Sequence, residues 1–102
     1  RRRQAGRLRF VVTDRRAFSI DPHGAAALSA MAIASILYAE ANRRSDGAGD
    51  IEFGCGEPGA LASAATHFHH WRGVGDIAGA MGALERAKRD RGERLTRVAP
   101  DD

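Results

Sequence analysis

The chain has 102 residues, 43% hydrophobic and 28% charged, with a formal net charge of +3 and a pI near 10.0. That length suits a single small domain, residues 1–102, and is short for an enzyme built on a complete doubly wound sheet. The one cysteine, Cys55, excludes an internal disulfide and points to a reducing, cytoplasmic setting, while the longest apolar run, 24–39, is broken by Ser29 and Ser35 and is too short for a membrane span of ~20 residues.

In chain order, Arg1, Arg2, Arg3 and Arg7 mark 1–7 as a flexible basic tail. Phe10, Val11 and Val12, followed after Asp14-Arg15-Arg16 by Phe18 and Ile20, read as a short β-hairpin or as an extended arm. Asp21 and Pro22 suit an N-cap and first helical position, and Leu28, Met31, Ile33, Ile36 and Leu37 recur at helical spacing, so a long Ala-rich helix is expected to run to about Asn42. Its small residues allow close helix contact, which makes 24–42 a candidate homo-oligomer surface. Arg43, Arg44 and Gly47 end it.

A short strand over 51–53 then leads into a turn carrying Gly54, Gly56 and Gly59, and helices are expected over 60–71 and 81–91, the latter stopped by Gly92. Gly73 to Ile77 is a weak strand or an open turn, and 95–98 a final strand before Pro100. The resulting β-α-β-α-β order implies an α/β unit of two or three layers with a small, mostly parallel sheet, a Rossmann-like half.

The motif order resembles the nucleotide-binding half of the class I S-adenosylmethionine-dependent methyltransferases. Glu52-Phe53-Gly54-Cys55-Gly56-Glu57 looks like that family's first motif, Asp76-Ile77 with the basic helix after it like the second, and Arg91 to Val98 with Asp101-Asp102 like the third strand and its acid. The resemblance implies S-adenosylmethionine as cofactor, approached by the backbone at Gly54, Gly56 and Gly59. Asp76 would accept hydrogen bonds from the ribose hydroxyls, Asp101 would lie near the adenine amino group, and Glu52 would stand on the first strand. The chain stops where the family continues with its substrate-binding strands, so the implied activity is cofactor binding by a methyltransferase-like fragment.

The remaining signals are blander. His67 and His70 share a face of the expected second helix, but no carboxylate or cysteine is placed to complete a metal site, and a solvated helix end beside Trp71 is the simpler reading. Cys55 lacks a visible base and reads as a packing residue. The alternative function is a non-enzymatic basic module whose Arg-rich ends hold nucleic acid or an acidic protein partner.

Overall fold

The computed structural model describes residues 9–20, 27–93 and 95, with side chains from 30 onward in the second stretch. Six strands and one helix follow one another: β1 (Arg9–Val12), β2 (Arg16–Ile20), β3 (Ala27–Ala32), β4 (Ile36–Arg43), β5 (Gly49–Cys55), β6 (His67–Val74) and α1 (Ile77–Asp90). They form two three-stranded antiparallel sheets, β1-β2-β3 and β4-β5-β6. The expected parallel, Rossmann-like sheet is therefore overturned, because every pairing among the described residues joins chain neighbours running in opposite directions.

The N-terminal hairpin forms as one of the two readings had it. Thr13 closes the turn, its Oγ1 accepting from the backbone N–H groups of Arg15 and Arg16. The long helix expected to reach Asn42 does not form. Its described part is β3, a short 3-10 turn at Ile33–Ser35 and β4, so the homo-oligomer surface placed on a 24–42 helix has no helix to carry it. Ile36, Leu37, Tyr38 and Ala39 are all buried in succession, which means β4 is covered on both faces. A strand buried on both sides loses the alternation that would distinguish it from a helix. The second expected helix, 60–71, is also corrected: only Ala62–Ala64 makes a 3-10 turn, and His67 to Trp71 belong to β6.

The third helix is present and longer than expected. Asp76 caps it, accepting at Oδ1 from the Gly79 N–H at 3.0 Å, and Gly92 ends it at φ +75°, a conformation that favours glycine. Residues 1–8, the Asp21-Pro22 start and most of the last expected strand lie outside the described residues.

One core joins the two sheets and the helix. Ala17 and Met31 come from the first sheet, Ile51, Phe53 and Trp71 from the second, and Ile77, Met81, Leu84 and Ala87 from α1. Trp71 holds the centre, with ring centroids 4.9 Å from both Phe10 and Phe53. Among the described residues no helix is long and apolar enough to cross a membrane.

Candidate functional site

The register of the second sheet decides what its residues can do. Ile51, Phe53 and Cys55 face the core, so Asp50, Glu52 and Gly54 face outward, with Asn42, Glu40 and Tyr38 beside them on β4. On β6, Phe68 stands opposite Gly54, and His70 opposite Glu52. Three cross-strand rows result.

In the first row, a methyl group built on Gly54 would overlap the Tyr38 ring, so the space that glycine leaves open is taken by the protein's own phenol. The Tyr38 hydroxyl is held above its ordinary range by burial, and the Glu52 and Glu40 carboxylates reinforce the effect. In the second row, Glu52 Oε2 lies 3.8 Å from His70 Nε2, both side chains being substantially exposed. In the third, Asp50 Oδ1 accepts from the Gly73 N–H at 2.9 Å.

Of the residues that the methyltransferase resemblance singles out, Glu52 and Gly54 are neighbours on β5, and Gly56 follows at the end of that strand, its N–H donating to the Ser35 carbonyl at 2.9 Å. Gly59 has φ +87° with nothing within 4 Å of where a side chain would begin, which makes it a turn glycine. Asp76 is elsewhere. It follows Val74, which pairs with Gly49 at the opposite end of β5, roughly 17 Å along the strand from Gly54 at ~3.4 Å per residue. Its carboxylate is engaged in capping α1. Asp101 lies outside the described residues. The crevice implied by the resemblance needs these groups along one sheet edge; here they are split between two ends of an antiparallel sheet.

A groove of about 430 Å³ does form at the Cys55 end. One wall is Ala30, Met31 and Ala32 of β3; the other is Thr66, His67 and His69 at the start of β6; Ser35, Cys55 and the 56–58 loop close it. Thr66 orders this end through its N–H, which donates to the Cys55 carbonyl at 2.8 Å, while Thr66 Oγ1 and His67 Nδ1 lie 3.0 Å apart. Burial pushes the Cys55 thiol up, with the Lys88 ammonium opposing more weakly, so this is a protonated packing group at neutral pH.

His67 and His70 do not share a face: His67 is opposite Cys55 on the core side, and His70 is opposite Glu52 on the outer side. Among the described residues no group of three or more histidines, cysteines or carboxylates could hold a metal ion. The groove is marked in part by the glycine turn, which supplies Cys55, Gly56, Glu57 and Pro58 to it. Its β3 wall sits inside the segment that reads as helix, and only the Phe68-His69-His70-Trp71 run, placing Phe68 and His70 outward and Trp71 in the core, carried a strand signal for its other wall. No family model, curated protein or solved structure matches the chain.

Proposed function

We propose that the protein is a non-catalytic binding module that takes up an acidic segment of a protein partner in the groove between β3 and β6. The observation that carries this reading is the groove itself, an open channel between two strands that each pair on one side only among the described residues. Its chemistry favours recognition. The Cys55 thiol is protonated, and the groove side chains Met31, Pro58, Thr66, His67 and His69 offer apolar contact and hydrogen bonding.

The acidic partner is suggested by Arg16, which stands beside the groove residue Ala32 across the β2–β3 ladder, and by the Arg-rich ends; Glu57 is the one charged residue among those lining the groove. Attraction between such arginines and an acidic segment weakens with salt. The lone thiol fits a cytoplasmic setting for this encounter.

Selection from a random dodecapeptide display library tests the proposal. Acidic peptides should be enriched, bind more weakly as salt is added, and shift the backbone amide resonances of Ala30, Ala32, Gly56 and His67. Failure to enrich any peptide, or shifts confined to another face, would refute it. S-adenosylmethionine binding rests on the motif resemblance alone, and a calorimetric titration with that compound separates the two readings. Steep salt-dependent binding of an RNA or DNA oligonucleotide, with no effect on the groove amides, would instead favour the Arg-rich ends as the interface.

A further inference from the structure

We propose that the outer face of the second sheet is a docking site for an arginine-bearing segment of a protein partner, seated on Glu40, Glu52 and Phe68. This surface is on the other face of the sheet from the groove residues His67 and His69, and its occupation does not depend on the groove reading.

Glu40 and Glu52 are direct partners in the β4–β5 ladder, and both point outward. Like charges placed opposite one another destabilise a sheet unless a cation joins them. Among the described residues none does so at neutral pH: Glu40 has no ion pair, and Glu52 has only His70 Nε2 at 3.8 Å, which is a cation only when protonated. The Tyr38 hydroxyl lies near the same two carboxylates. Its ring is buried over Gly54, and the oxygen has no hydrogen-bond partner among the described residues, which leaves it as a third acceptor for a donor bound there. In the next row, Asp50 accepts from the Gly73 N–H and Arg72 follows Trp71 on β6, so opposite charges stand together. The unbalanced charge on this face is that of Glu40 and Glu52.

Phe68 decides which basic side chain fits. It is 55% exposed and stands opposite Gly54, so it is diagonal to Glu52 and within reach of a group bound to that carboxylate. The neighbouring Glu52 and His70 side chains are 37% and 49% exposed, which keeps the row open to a ligand. A guanidinium is a planar fork that can bond two carboxylates while its face stacks on an aromatic ring. An ammonium is a point charge and does the second less well.

Titration of the intact, isotope-labelled chain with a capped peptide of alternating glycine and arginine, and with its lysine counterpart, tests the proposal. The arginine peptide should shift the amide resonances of Glu40, Glu52, Phe68 and His70, leave those of Ala30 and Ala32 in place, and bind about threefold or more tightly than the lysine peptide. Glu40→Gln combined with Glu52→Gln should weaken binding about tenfold and leave the melting temperature unchanged or raised, because a repulsion is relieved. Phe68→Leu should erase the preference for arginine over lysine. Binding that survives the double substitution, shifts confined to another face, or a double variant that melts well below the parent chain, which would make the carboxylates structural, overturns the proposal. Self-association of the chain that the double substitution abolishes would put a second copy on this face and overturn the assignment to a partner protein.

Discussion

Gly54→Ala separates the two meanings that a glycine in this position can have. If Gly54 admits an external ligand, a methyl group there should leave the free protein unharmed. The structure instead places the Tyr38 ring where that methyl would go. Tyr38 is 6% exposed and sits on β4 directly opposite, so the ring cannot withdraw without uncovering the outer face of the sheet. Overpacking of this kind costs about 1–3 kcal/mol. Against it, alanine relieves the backbone entropy of a strand glycine by about 0.5–1 kcal/mol. The net loss is then about 1–2 kcal/mol, which lowers the melting temperature of a domain this size by about 5–15 °C. Thermal unfolding followed by circular dichroism reads this directly, and the Tyr38→Ala background supplies the control. There the overlap is gone, and Gly54→Ala should be neutral or stabilising by about 0.5–1 kcal/mol. Equal destabilisation in both backgrounds would refute the argument that Tyr38 is what requires the glycine.

Four other outcomes follow from the same geometry. Asp76→Ala should cost about 1 kcal/mol through loss of the Gly79 cap, with Asp76→Ser recovering most of it; an unchanged unfolding midpoint in the alanine variant would remove the capping role. Lys88, whose side chain is 7% exposed, donates from Nζ to Glu93 Oε1 at 3.2 Å, so Glu93→Ala, which strands a buried ammonium, should cost about 1–3 kcal/mol and exceed Lys88→Met; denaturant titrations giving the reverse order would contradict this. Trp71→Phe keeps ring contact with Phe10 and Phe53 and deletes a buried Nε1–H that has no hydrogen-bond partner among the described residues, so its cost should fall well below the about 3–5 kcal/mol of Trp71→Ala, and equal losses would argue against ring packing as the main contribution. Tyr38 and Cys55 are both raised from ordinary values of 10.0 and 9.0, so the folded chain holds protons that the unfolded chain releases: their contribution is complete below about pH 9 and is lost as pH rises through the raised folded values. Melting temperature should therefore fall above about pH 9, less steeply in Tyr38→Phe, and identical profiles for the two proteins would count against the phenol's part.

The elements that were legible in the sequence are those whose signal is local. The β1–β2 hairpin follows from β-branched and aromatic residues flanking a polar turn, and α1 from its apolar spacing with a glycine stop at Gly92. Residues 27–43 were not legible, because alanine fits either structure and the buried run from Ile36 to Ala39 has no period that chooses between them. What makes that segment β is its partners. Ala17 and Ser19 pair with Met31 and Ser29 on β3, and the β5 ladder from Gly49 to Cys55 holds β4. Those contacts cross the chain, and tertiary pairing overrides the helical preference of alanine.

The candidate site is ambiguous in the sequence for a related reason. A glycine in sequence says that something approaches closely, without saying what. At Gly54 the approaching group is Tyr38, and at Gly56 it is the side chain of Leu37, 3.1 Å from where a Cβ would stand. Asp76 repeats the ambiguity for acids, since a carboxylate before a helix can hold a ribose or the helix's own N–H groups, and here it holds the latter. The groove at the Cys55 end is lined by Ala30, Met31 and Ala32 of β3 and by Thr66, His67 and His69. Motifs register side chains. The Cys55–Pro58 side of the groove falls within the glycine turn, whereas its β3 wall lies in the segment whose spacing reads as helix.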